Sequence, residues 1–93
     1  MIESKEEILL EELVPNIVRD CINPQGYIEA GHLKHIMDIK LPCYFDNVDF
    51  SPCEIDESIL TVTYRYRFGG YYFHRCFNLE SIIKDYLEGY NVK

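Results

Sequence analysis

The sequence predicts an α+β domain: N-terminal helices, a short antiparallel sheet built around a β-hairpin at residues 59–77, and a C-terminal helix. Three observations carry this. Apolar residues recur at helical spacing through EEILLEELVPNIVRDCI, two runs rich in β-branched and aromatic residues flank Gly69-Gly70, and helical spacing returns in NLESIIKDYLEG. No repeat, low-complexity tract or linker divides the chain, so residues 1–93 are read as a single domain.

At the start, Ser4 followed three residues on by Glu7 fits a capping box. Ile8, Leu9, Leu13, Ile17 and Cys21, with Leu10, Val14 and Val18 beside them, make a wide apolar stripe. Pro15 falls inside the pattern, which predicts either two short helices or one kinked helix. Asn23-Pro24-Gln25-Gly26 then marks a turn. A brief extended segment is expected at Tyr27-Ile28, and a short helix at 30–37 with Leu33, Ile36 and Met37 inward. Pro42 and Pro52 punctuate LPCYFDNVDFSPCEIDES, read as loop with at most a short strand at 43–50.

In the hairpin, a two-residue Gly69-Gly70 turn would set Phe68 opposite Tyr71, Arg67 opposite Tyr72, Tyr66 opposite Phe73 and Arg65 opposite His74. Alternation then assigns Val62, Tyr64, Tyr66, Phe68, Tyr71, Phe73 and Phe77 to one face, with Arg75 the exception. Thr61, Thr63, Arg65, Arg67, Tyr72, His74 and Cys76 take the other. In the tail, Asn78 is the expected N-cap with Ser81 competing, Gly89 the stop, and Ile82, Ile83, Tyr86 and Leu87 the inward face.

A chain this long buries roughly 60–65% of its unfolded surface, and its expected radius of gyration is about 12 Å. That leaves little room for an internal cofactor cleft, so a surface function is expected and no cofactor. Sixteen acidic against nine basic residues give a net charge of −7, which steers the protein toward basic partners and away from phosphate backbones or anionic membranes. There is no apolar signal-like segment at the start and no run near the ~18 residues of a membrane span. The four cysteines are therefore expected as reduced thiols in a cytoplasmic protein.

Metal ligands were sought among His32, His35, Cys43, Cys53, His74 and Cys76. His32 and His35 share one side of a helix, and His74 and Cys76 share one face of a strand, so each pair could supply half of a tetrahedral zinc site. Cys43 and Cys53 are spaced too widely for a zinc knuckle and no CxxC occurs, so unmetallated thiols are the reading and zinc the weaker alternative. No GxSxG, HExxH, phosphate-binding glycine loop or nucleophile–base spacing is present, and no enzymatic activity is expected.

NPQGYIEAGHLKHIMDI resembles, over its turn, short strand and helix, the start of winged-helix domains, with the hairpin as a wing. The resemblance implies a recognition helix next in the chain. The chain departs from it there, because LPCYFDNVDFSPCEIDE is acidic and broken by proline.

Two surfaces remain. Glu3, Glu7 and Glu11 recur every fourth residue, about 6 Å apart along a helix, with Glu6 and Glu12 beside them. Asp46, Asp49, Glu54, Asp56 and Glu57 follow in a stretch, 41–64, that holds no lysine or arginine. Such carboxylates could stand in for phosphates before a basic groove. Arg65, Arg67, Tyr72 and His74 form the second surface, able to stack on bases, to pair with phosphates, or to sit against the protein's own carboxylates.

In size, charge and aromatic content the chain resembles small phage-encoded inhibitors of host restriction or CRISPR enzymes, a resemblance of composition that no motif carries. It implies a non-enzymatic protein that occludes a basic nucleic-acid-processing complex with Asp46, Asp49, Glu54, Asp56, Glu57, Glu3, Glu7 and Glu11. The alternative is a nucleic-acid-binding or regulatory module using the Arg65/Arg67/Tyr72/His74 face. The aromatic face exceeds what one short tail helix can cover, which adds a homodimer as an expectation.

Overall fold

Leu10, Val14, Ile17 and Val18 fall on one face of a helix, and in the computed structural model, which describes residues 5–91, all four are buried. They belong to α1 (Lys5–Asp20), which runs unbroken through Pro15. Of the two expected forms, the single helix is the one observed, for an energetic reason. An interior proline costs about 3 kcal/mol, whereas each buried aliphatic side chain contributes roughly 1.5–3 kcal/mol, and two lie on either side of Pro15. Ile8 and Leu9, expected inward, are exposed instead. Ser4 and Glu3 lie outside the described residues, and with them the capping box.

The Asn23 side chain closes the expected turn by accepting from the N–H groups of Gln25 (3.0 Å) and Tyr27 (3.1 Å), while Gly26 takes a positive φ of 90°. Tyr27 and Ile28 join no strand. The second helix, α2 (Ala30–Lys40), runs three residues beyond its expected end and buries Leu33 and Met37. A four-residue 3-10 turn, Leu41–Tyr44, follows where a recognition helix would stand, so the winged-helix resemblance ends at α2.

The acidic stretch is not simply loop. It contributes β1 (Val48–Phe50) and β2 (Glu54–Asp56), both antiparallel to β3 (Ile59–Tyr66), while β4 (Tyr72–Asn78) lines the other side of β3. Phe50 stands opposite Tyr64, and Ser51 N–H bonds Thr63 O at 3.0 Å; beyond them Glu54 stands opposite Thr61. Pro52 and Cys53 therefore share Val62 as their opposite, a β-bulge placed where proline has no N–H to offer the ladder. The bulge frees Cys53 N–H to bond Asp38 Oδ1 of α2 at 3.0 Å.

Between β3 and β4 the register differs from the expected one by two residues: Arg65 faces Tyr72, Tyr64 faces Phe73 and Thr63 faces His74. Five residues, 67–71, connect the strands, with Gly69 N–H bonded to Tyr66 O at 3.0 Å and Gly70 at φ 84°. Because a shift of two preserves alternation, the assignment of side chains to faces stands.

The helices cover one face of this four-stranded sheet. Leu60, Val62, Tyr64, Val48 and Cys53 meet Leu10, Val14, Ile17, Val18, Leu33 and Met37 in one core. Arg75, the charged exception on that face, is half-buried and ion-paired to Glu11 of α1. The last helix, α3 (Leu79–Asn91), is capped by Asn78, whose Oδ1 accepts from Ser81 N–H at 3.1 Å, and it runs past Gly89 rather than stopping there. It packs on α1; Leu79 is buried, Ile82, Ile83 and Leu87 are half-buried, and Tyr86 is exposed. The radius of gyration, 13.9 Å, exceeds the expected value because the molecule is elongated, 46 × 28 × 22 Å. No helix among the described residues is long and apolar enough to cross a membrane.

Candidate interaction surfaces

On the uncovered face of the sheet, strand register decides which side chains meet. Arg65 lies directly opposite Asp49, and its guanidinium reaches Asp49 Oδ2 at 3.8 Å. Arg67 donates from Nε to Asp49 Oδ1 at 3.2 Å. Arg65 also sits over the Tyr72 ring, 5.5 Å from its centroid. Thr63 Oγ1 and His74 Nδ1 are hydrogen-bonded at 2.9 Å, and Thr61 Oγ1 meets Cys76 Sγ at 3.7 Å. Arg65, Arg67, Tyr72 and His74 are thus brought together as expected, but with Asp49 among them. These pairs are solvent-exposed and contribute roughly 0–1 kcal/mol each. Their effect is to occupy the two guanidiniums with the protein's own carboxylate.

The expected acidic array divides in two. Glu7 and Glu11 stand on α1, on the helix-covered side, where Glu11 pairs with Arg75. The Tyr64 hydroxyl is pushed up to about 12, first by burial and then by the negative charge of Glu7. Asp49, Glu54 and Asp56 alternate onto the opposite, uncovered face, with Glu57 in the β2–β3 turn at φ 56°. Glu54 and Asp56 are about 7 Å apart along one strand, and Asp49 is about 13 Å from Glu54. Asp46, Glu54, Asp56 and Glu57 are exposed and make no ion pair with a described residue. Glu3 lies outside the described residues.

The cysteines and histidines do not converge: among the described residues no three His, Cys, Asp or Glu side chains are placed to hold one metal ion. Cys53 is buried, donates from Sγ to Lys34 O at 3.8 Å, and has its thiol pushed up to about 12 by burial and by Asp38. Cys43 is exposed and donates to Ile39 O at 3.4 Å.

Sequence reasoning missed the most exposed feature. Phe68 and Tyr71, in the β3–β4 connection, are 92% and 78% exposed, and Tyr72 and Phe73 behind them are 54% and 42% exposed. A chain of ring contacts, Phe45–Phe50–Tyr64–Phe73 with centroids 5.3–6.2 Å apart, ties the start of β4 to the core. Residues 58–79 hold three arginines and no carboxylate, so the hairpin is cationic and the whole negative excess lies elsewhere. Gly69-Gly70 reads as a two-residue turn, which hides the tip. Asp46 and Asn47 approach the same end, since Arg67 N–H bonds Asn47 O at 3.0 Å. An open cleft of about 200 Å³ there is lined by Lys5, Glu6, Leu9, Tyr44, Phe45, Asp46 and Asn47. Comparison of the chain with protein-family models, with curated proteins and with solved structures finds no match in any of the three.

Proposed function

We propose that this is a non-enzymatic binding protein that docks on, and blocks, a basic nucleic-acid-handling protein. The observation that carries the reading is the projecting tip, where Phe68 and Tyr71 stand almost fully exposed on a core-anchored hairpin. Aromatic side chains held this way act as anchors, because they bury much area and lose little rotamer freedom. The unpaired carboxylates Asp46, Glu54, Asp56 and Glu57 supply attraction to a Lys/Arg-rich surface, which speeds encounter more than it deepens affinity. Occlusion would then be steric, with the tip inserted and the acidic body covering the nucleic-acid channel.

The test is inhibition of DNA cleavage across a panel of restriction and RNA-guided nucleases. Inhibition of at least one member is expected, weakened about ten-fold or more by Phe68→Ala with Tyr71→Ala. Raised salt and Glu54→Lys with Asp56→Lys should slow association. Inhibition insensitive to salt and to charge reversal removes the electrostatic part, and no inhibition across the panel removes the reading. Gel shifts with single-stranded and duplex oligonucleotides test the alternative, in which phosphates must displace Asp49 from Arg65 and Arg67; retardation abolished by Arg65→Ala with Arg67→Ala would favour it.

A further inference from the structure

The two edges of the sheet are built differently. One consists of two three-residue strands interrupted by the Pro52 bulge, carries Asp49, Glu54 and Asp56, and has α2 packed beside β2. Short strands, bulges, proline and charge are the usual devices against edge-to-edge pairing. The other edge, β4, is seven residues long and holds no proline, lysine or carboxylate; its one formal charge, Arg75, faces the helices and is paired with Glu11, and among the described residues β4 pairs only with β3.

We propose that β4 pairs antiparallel with β4 of a second copy, joining two four-stranded sheets across a two-fold axis. Keeping each face on its own side requires opposed residues of equal parity. Centring on Arg75 sets two guanidiniums directly opposite each other, which is unfavourable. Centring on His74 sets Phe73 against Arg75 of the second copy, Tyr72 against Cys76 and Tyr71 against Phe77, with each pair formed twice. Centring on Phe73 pairs only three residues of β4, and centring on Cys76 sets Tyr72 and Tyr71 against residues of α3, so the axis is placed through His74.

Area supports a second copy as the occupant. Tyr71, Tyr72 and Phe73 together expose about 350 Å² per copy, against roughly 500 Å² per copy at the lower limit of a specific interface. His74, Cys76 and Asn78 are also exposed on this strand and supply the remainder. Two copies each of net charge −7 repel, so salt should strengthen the dimer, the reverse of its effect on a basic partner.

Sedimentation equilibrium tests this, with association expected to tighten about three-fold or more between ~20 mM and ~500 mM salt. Tyr72→Lys with Cys76→Lys opposes like charges across the axis and should weaken the dimer about ten-fold, whereas Tyr72→Lys with Cys76→Glu should restore it. Both pairs replace exposed side chains, so the fold is retained. His74→Cys, with Cys43 and Cys76 changed to serine, should oxidise to a covalent dimer. A wild-type chain monomeric at about 200 µM in ~0.5 M salt overturns the proposal. Equal dissociation of the Lys/Lys and Lys/Glu proteins does so as well.

Discussion

Cys53 and Tyr64 are acids that the fold keeps protonated. Burial is the main cause in both, with Asp38 adding to it at the thiol and Glu7 at the phenol. Each holds its proton more tightly in the folded chain than in the unfolded one. The stabilisation is complete below the unfolded values, 9.0 for the thiol and 10.0 for the phenol, and is lost as pH rises toward about 12. Thermal melts should therefore show stability falling above pH 9. Tyr64→Phe should leave stability near neutral pH little changed and flatten the decline above pH 10; an unchanged decline would remove Tyr64 as a cause. The spacing of Cys53 spoke against a zinc knuckle but left open whether the thiol lay in the core or at the surface. That its N–H is held by Asp38, fifteen residues earlier, was not legible, because that bond depends on a bulge placed by long-range pairing.

Elements with a strong local signal were readable: α1, α2, the β3–β4 hairpin and the Asn78 cap follow from periodicity and capping chemistry. Two things were not. β2 lies outside the short strand expected at 43–50, within which β1 falls; both are three residues, too short for alternation to register, and exist because β3 offers them a ladder. The hairpin register also moved by two: Gly69-Gly70 reads locally as a two-residue turn, whereas the connection is five residues long, and because a shift of two buries the same side chains, alternation does not distinguish the two registers. The β2–β3 turn contains the one strained non-glycine backbone among the described residues, Glu57 at φ 56°. Glu57→Gly should stabilise the protein by about 0.5–1 kcal/mol in urea denaturation. It also removes one unpaired carboxylate, so stability and partner binding should move in opposite directions.

At the scale of the whole molecule, 46 × 28 × 22 Å, a helix-packed sheet carries an almost fully exposed aromatic connection between β3 and β4. Phe68 and Tyr71 are outside the core, so replacing both with alanine should shift unfolding free energy by no more than about 0.5 kcal/mol. A larger loss would mean that the tip supports the fold. Net charge was readable from composition, but its distribution was not: Asp49 pairs with Arg65 and Arg67 and Glu11 with Arg75, so the hairpin's arginines are all engaged and the unpaired carboxylates Asp46, Glu54, Asp56 and Glu57 remain.

One residue of the chain is surplus to its ladder. Pro52 shares Val62 with Cys53, so deleting it would leave Val48, Phe50, Cys53 and Ile55 facing the helices and Asp49, Glu54 and Asp56 facing solvent. The shortened chain would carry β1 and β2 as a single uninterrupted strand. Folding should survive such a deletion, as a cooperative thermal transition would show, while light scattering should report self-association that the parent chain lacks at this edge. The surplus residue keeps that side of the molecule from being a continuous strand.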